Sequence, residues 1–354
     1  MAYESELALR LIPYTAGEQP KDRKFIKLNT NENPYPPSPE VFAALRDFDA
    51  ETLRLYPDME ATALCQAIAQ VEDIPSSWVF CGNGSDEVLA FAFAAFFAGK
   101  TLSVPEVTYS FYPVYANLFG AKVRRVKMRP DFTVDVDGML EGAPMALANP
   151  NAPTGLELPL AEVRKLALHA REQGEVLLVD EAYAAFAEET AVALVREFDN
   201  VLLTRTFSKS HALAGMRVGY AIGQENLIAA MRRIRDSFNS YPLDRVAQVA
   251  ARAAVLDTDY TRQTVAAVCR DRDACAKALR EHGIEVLESR TNFLFVRADA
   301  EDAAPVQQLL REQGILVRHF ASEGLKPYLR VTIGTKEDMV LVTKALISTI
   351  CKKK

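Results

Sequence analysis

The sequence predicts an α/β fold, with a mostly parallel central sheet in a large domain and a smaller α+β domain at the C-terminal end. Three observations carry this. From about residue 77 onward short apolar runs alternate with stretches of helical spacing, the pattern of strand–helix–strand units. Near residue 255 the pattern changes to one long polar-faced helix followed by short strands and helices. The chain has 354 residues, 49% hydrophobic and 25% charged, enough for two domains that bury cores without disulfide staples.

Taken in order, residues 13–39 hold Pro13, Pro20, Pro34, Pro36, Pro37 and Pro39, which argues for an extended arm rather than a packed helix. A strand at 78–81 ends in Gly82-Asn83-Gly84, and a helix at 85–98 follows, apolar enough over 88–99 to be a core helix and too short to span a bilayer. Strands are expected at 145–148, 176–179 and 201–204, with a helix at 160–173. In the last part, helices are expected at 262–282, 300–313 and 336–350, and strands at 284–287, 293–296, 315–317 and 329–333. The resulting division is an N-terminal arm at 1–27, a large domain at 28–254 and a small domain at 255–354.

Composition narrows the function. Asp and Glu number 47 against 41 Lys and Arg, a net charge of −6 with no long basic run, which argues against a dedicated nucleic-acid binder. Cys65, Cys81, Cys269, Cys275 and Cys351 are scattered with no C-x-x-C, so free thiols are expected and neither zinc nor thiol-redox chemistry. The first ten residues carry two glutamates and no apolar run of signal-peptide length, and the closing lysines 352–354 suit a solvated tail. A cytoplasmic enzyme with no membrane partner is the expectation.

In open α/β sheets ligands bind beyond the carboxyl ends of the strands. Four such ends carry polar or glycine-rich turns: Gly82–Glu87, Asn149-Pro150-Asn151, Asp180-Glu181-Ala182-Tyr183 and Thr206-Phe207-Ser208-Lys209. The first suits an anion at a helix N-terminus, or Ser85 or Asp86 serves only as a helix cap. It is not a dinucleotide fingerprint, because Glu87 stands where a third glycine is needed. Gly99-Lys100-Thr101 likewise lacks the upstream glycine of a nucleotide-triphosphate loop, Ala94 standing there. Asp180 is either a cap or a charge partner for a ligand. Lys209 by itself reads as a surface lysine, and Arg217 suits phosphate through its planar fork.

The order of these elements carries more than any one of them. A glycine turn, Tyr109, a Pro-Thr-Gly turn, Asp180-x-x-Tyr183, Ser208-Lys209 and Arg217 follow one another. With Leu28-Asn29-Thr30-Asn31-Glu32-Asn33-Pro34, Arg54-Leu55-Tyr56-Pro57-Asp58, Leu213-Ala214-Gly215-Met216-Arg217 and 329–334, they span nearly the whole chain. In these segments the sequence resembles the pyridoxal-phosphate-dependent transferases of fold type I, class II aminotransferases, and most of all the histidinol-phosphate branch of that family.

The resemblance implies pyridoxal 5'-phosphate as cofactor and assigns roles. Lys209 would form the resting Schiff base and then act as the base that moves the substrate proton. Asp180 would sit beside the ring nitrogen; a pair at ~4 Å and effective dielectric of ~20 attracts by about 4 kcal/mol, enough to keep that nitrogen protonated. Tyr183 would meet the ring oxygen and Tyr109 would stack on the ring. Backbone N–H groups of Ser85 and Asp86, the Ser208 hydroxyl and Arg217 would hold the cofactor phosphate, with Tyr56 reaching across from the second subunit of a homodimer, and Thr206 would also bind the cofactor. The family asparagine before Pro-Thr-Gly is replaced by Ala152, so Asn151 is the expected substitute. Arg318 and Arg330 would hold the substrate phosphate, and Tyr14 and Asn31 would close over the substrate.

The implied reaction is transamination between histidinol phosphate and 2-oxoglutarate in histidine biosynthesis. Aromatic amino-acid transamination and threonine-phosphate decarboxylation on the same fold remain open at this point, as does a cofactor-free binding protein on this scaffold.

Overall fold

The computed structural model describes residues 3–14, 17–20 and 23–351. Its strands, in chain order, are β1 (Ile26–Leu28), β2 (Val79–Asn83), β3 (Thr101–Pro105), β4 (Lys122–Val126), β5 (Met145–Ala148), β6 (Leu177–Asp180), β7 (Val201–Thr206), β8 (Val218–Ile222), β9 (Phe293–Arg297), β10 (Ile315–His319) and β11 (Tyr328–Thr332). Seven form the large sheet in the order β2-β8-β7-β6-β5-β3-β4. Only β8 runs against its neighbours, so the sheet is mostly parallel as the sequence predicts.

Period-2 alternation feeds two cores. Met145, Leu147, Leu177, Val179, Val201 and Leu203 face one layer, while Ala146, Leu178 and Leu202 face the other. A sheet buried on both faces reads as continuous apolar runs, which is why these central strands were visible in the sequence. Strands β3, β4 and β8 were not singled out there. β4 is the charged edge, with Lys122, Arg124 and Arg125, the composition that blunts edge pairing. β8 carries Gly219, where a Cβ would lie 2.3 Å from the Ser85 backbone nitrogen. That glycine interrupts the strand pattern so that the helix Gly84–Phe96 can start against the sheet.

The smaller sheet has the order β1-β10-β11-β9 and packs a core that also takes in Ala152, Tyr183 and Phe186 from the turns beyond the large sheet. The expected arm runs directly into the smaller sheet. Ile26–Leu28 pairs in parallel with β10, and Leu28 is buried in the small-domain core, so the N-terminal segment becomes an edge strand of the small sheet. The expected strand at 284–287 is reduced to a bridge between Val286 and Val296, since the chain turns away to bond Arg290 N to Gly155 O. The long helix is Thr258–Glu281, starting earlier than expected because Asp257 caps it by accepting from Tyr260 N at 3.2 Å. The helix expected from 300 begins at Ala304, with Pro305 in its first turn.

All five cysteines are free. Among the described residues no helix is long and apolar enough to cross a membrane, and no cluster of side chains suits a metal ion.

Candidate active site

The carboxyl ends of β2, β5, β6 and β7 lie along one edge of the large sheet. Ala148 pairs with Asp180, and Asp180 with Thr204, so the turns that follow begin side by side. A cavity opens at this edge. Ser85, Asp86, Tyr109, Ala148, Ala152, Asp180, Ala182, Tyr183, Thr206, Ser208, Lys209 and Arg217 line it from the side of the large sheet, and Arg330 from the smaller sheet.

One end of the cavity is built for an anion. Gly84 has φ +78 and opens the helix Gly84–Phe96, whose first backbone N–H groups and dipole face the cavity beside Ser208 and Arg217. Neither Ser85 nor Asp86 caps this helix. Asn83 occupies the cap position, and Glu87 reaches back to accept from Asn83 N at 2.6 Å. A Cβ on Gly84 would stand 2.7 Å from the Arg217 guanidinium, so the glycine lets that side chain approach the turn. Asp86 bridges the end of the site, accepting from Arg217 at 3.0 Å and from the Tyr109 hydroxyl at 3.0 Å.

The floor is Asp180, buried at the end of β6. Its Oδ2 accepts from the Tyr112 hydroxyl at 3.2 Å and its Oδ1 from Ala182 N at 3.2 Å. Burial pushes its carboxyl up to about 6, against the opposing pull of these hydrogen bonds. Such a carboxylate gains most from a cationic partner. Lys209 shows the complementary bias. Its Nζ donates to Thr30 O at 3.3 Å and lies 6.0 Å from the Tyr183 ring centre. Burial first, then the Arg330 charge, brings its ammonium down to about 8. An amine near that value loses its proton readily, as a nucleophile and base must.

Arg330 closes the cavity from β11. Its Nη2 donates to Asn29 O at 3.1 Å, while its Nε is buried without a hydrogen-bond partner among the described residues. Its guanidinium lies 5.4 Å from the Phe293 ring and 5.7 Å from the Phe320 ring. Arg318 stands directly across the ladder on β10, on the same face of the small sheet, without lining the cavity itself.

Besides Arg318, four expected site residues do not line the cavity. Asn151 does not line the cavity. Its Nδ2 is taken by Val107 O at 2.9 Å and Thr154 Oγ1 at 3.0 Å, and its backbone N bonds Leu156 O, so it holds the Pro-Thr-Gly turn while Ala152 faces the site. Asn31 is buried and, rather than closing over the cavity, donates to the Tyr183 hydroxyl at 2.7 Å. Tyr56 is 77% exposed and stacks on Tyr241 at 4.7 Å. Tyr14 packs on Phe111 at 4.6 Å without lining the cavity, near enough to Tyr183 and Arg330 to act on both electrostatically.

Other residues were missed. Among the described residues Tyr112 is the one tyrosine with no exposed surface, and it reaches Asp180; its spacing of three from Tyr109 was the available signal. Asn33, inside a quoted motif, donates to Lys209 O at 2.8 Å and fixes the lysine backbone. Arg205 links Glu72 to Glu181 next to Asp180 in a nearly buried ion network.

These residues fit a flat, phosphate-bearing cofactor with a basic ring nitrogen. An anion cradle closes one end, an unpaired carboxylate with raised affinity for protons forms the floor, and a poised amine faces it. Comparison with known proteins agrees. The family model for aminotransferase class I and II matches residues 23–346. The chain is 48% identical over 351 residues to a histidinol-phosphate aminotransferase of Acetobacter pasteurianus, covering 98% of each. It is 45% identical to one of Syntrophus aciditrophicus, covering 97% of this chain and 98% of that one. The fold matches that of the Sinorhizobium meliloti histidinol-phosphate aminotransferase solved in complex with pyridoxal-5'-phosphate, with a TM-score of 0.88 and 26% identity over 100% of this chain and 99% of that one. A strand-edge cavity with these side chains, and similarity along nearly the full length, place the chain in the class I and II aminotransferases.

Proposed function

We propose that this protein is a pyridoxal-phosphate-dependent histidinol-phosphate aminotransferase, transferring the amino group of histidinol phosphate to 2-oxoglutarate. The single observation that carries the reading is Lys209 and Asp180 in one cavity, biased in opposite directions by burial, between two separate arginine ends. When bound, pyridoxal phosphate supplies a ring that accepts the electron pair left behind as the substrate carbon loses its proton.

The chain's own residues do the rest. Ser85 and Asp86 backbone N–H groups, Ser208 and Arg217 would hold the cofactor phosphate, with Thr206 beside it. Asp180, oriented by Tyr112 and Ala182 N, would keep the ring nitrogen protonated. Tyr109 would cover the ring, and Tyr183 would donate to its oxygen. Lys209 Nζ would hold the cofactor and serve as the base for the proton at the substrate carbon. Arg330, with Arg318 beside it on the same sheet face, takes the substrate phosphate through charge-assisted bonds. Glutamate and 2-oxoglutarate use the same arginines for a carboxylate.

The reading extends to a cytoplasmic homodimer. Tyr56 is exposed with its backbone carbonyl held by Arg245, and stands ready to reach the cofactor phosphate of a second copy.

The test mixes purified protein, cofactor, histidinol phosphate and 2-oxoglutarate, and follows glutamate. Steady turnover, with kcat/KM for histidinol phosphate above those for phenylalanine and threonine phosphate, supports the reading. No glutamate, or carbon dioxide release from threonine phosphate, defeats it. Lys209→Ala is expected to lose the visible cofactor band and roughly 10²–10⁴-fold or more in turnover.

A further inference from the structure

We propose that Asn31 is a positioning residue for the Tyr183 hydroxyl, supplying from the N-terminal segment the support that Ala152 cannot give. The inference rests on the cofactor reading above and deepens it. Ala152 presents only a methyl group to the cavity, and the Asn151 amide is committed to the turn. Asn31 is 2% exposed and bonds Tyr183 at 2.7 Å.

The direction of that bond follows from its neighbours. Asn31 N donates to Thr332 Oγ1 at 3.0 Å, so this hydroxyl is already an acceptor. Its own proton goes to Asn31 Oδ1, 2.9 Å away. The amide is therefore fixed with Nδ2 toward Tyr183, and Asn31 donates. The tyrosine oxygen accepts that bond and keeps its proton for an acceptor in the cavity, which polarises the O–H and strengthens its donation. Asn292 Nδ2 holds Asn31 O at 3.1 Å, completing the clamp. Thr332 ends β11 and Asn292 precedes β9, so the clamp hangs from the smaller sheet while Tyr183 follows β6 of the large sheet. Asn31 has φ +55, a left-handed conformation that asparagine tolerates better than most side chains. The charged and titratable groups around Tyr183 are Lys209, Arg330, Asp180 and Tyr14.

Asn31→Gly tests this, because glycine keeps the left-handed backbone and removes only the amide. The readout is the pH midpoint of the visible band of the lysine-bound cofactor, with kcat as a second measurement. The ring oxygen depends most on the tyrosine donor once the neighbouring nitrogen has lost its proton. A weaker donor therefore raises the midpoint, by about 0.5–1 unit, and lowers kcat about fivefold, the scale of one hydrogen bond. Thr332→Val, which frees the amide to flip, is expected to move the midpoint the same way by less. In a Tyr183→Phe background Asn31→Gly is expected to change neither reading by more than about twofold, since residues acting through one group are not additive. An unmoved midpoint with a normal wild-type band, or effects that multiply in the double variant, overturns the inference alone. A wild-type protein with no visible band overturns the cofactor reading and this inference with it.

Discussion

Arg217 and Arg330 stand at opposite ends of one cavity and are treated differently. Arg217 follows the Leu213–Met216 turn in a left-handed conformation, is 47% exposed in its side chain, and is already paired with Asp86. Arg330 sits half-buried against two phenylalanine rings, with a carbonyl for a partner and a buried Nε left unpaired. Burial holds its guanidinium below the ordinary arginine value. An exposed paired arginine gives modest affinity and tolerates solvent. A desolvated, incompletely bonded one gains strongly from an arriving anion, and loses strongly when cut away. Under the proposed function, the difference would separate a cofactor-holding end from a substrate-selecting end.

The largest test of that contrast removes each arginine in turn. Arg330→Ala is expected to cost about 2–5 kcal/mol in kcat/KM for the phosphorylated amine, leaving the visible band in place. Arg217→Ala is expected to weaken cofactor binding about tenfold, with kcat largely restored by excess cofactor. Titrating both variants with cofactor and with substrate separates the two. Equal losses in both titrations would erase the distinction between the ends.

Between the ends lie Lys209 and Asp180, and their shifts predict opposite pH dependences for the cofactor-free protein. Lys209 has a folded value near 8 against 10.5 ordinarily, so its destabilising charge acts fully below pH 8 and fades as pH rises toward 10.5. Lys209→Met should therefore stabilise the cofactor-free protein at pH 7, by up to about 3 kcal/mol, with the gain gone near pH 11. Asp180 has a folded value near 6 against 3.8, so its penalty is full above pH 6 and absent below pH 3.8. Asp180→Asn should stabilise at pH 7 by up to about 3 kcal/mol and not at pH 3.5. Urea unfolding across pH reads both. A gain with the same sign of pH slope in the two variants would show that burial does not set these groups apart.

The smallest effect is expected at Tyr112. Tyr112→Phe removes one hydrogen bond from Asp180 and leaves the ring packing on Phe93. It should lower kcat a few-fold, on the order of one hydrogen bond, and leave KM for the substrate unchanged. A rise in that KM instead would tie the floor of the cavity to the substrate end.

Much of the site was legible before the fold. Gly84, Asp180 and Lys209 each follow an apolar run, and parallel strands bring every such end to one edge. The strand at 101–105 is largely buried but reads Thr-Leu-Ser-Val-Pro, with no continuous apolar run, and the edge at 122–126 is charged and little buried, so neither carries the apolar signal of the central strands. Asn151 and Asn31 were both named, and both were misplaced. Asn151 lies beside Ala152, and which of two neighbours faces a cavity depends on how the turn closes on Leu156. The partner of Asn31 is 152 residues away in the chain.

The sequence alone determined the class of fold and the order of the strand-end motifs, which follow from local periodicity and from connections whose geometry is restricted. That Lys209, Asp180, Ser208 and Arg217 share one site was implied by the family resemblance, since Asp180 alone also reads as a helix cap and Lys209 alone as a surface lysine. Only the tertiary structure decided which amide supports Tyr183, which carboxylate binds Arg217, and how Arg330 enters the cavity unpaired. Those choices are made by hydrogen bonds between segments far apart in sequence, where the desolvation of one group depends on packing supplied by another.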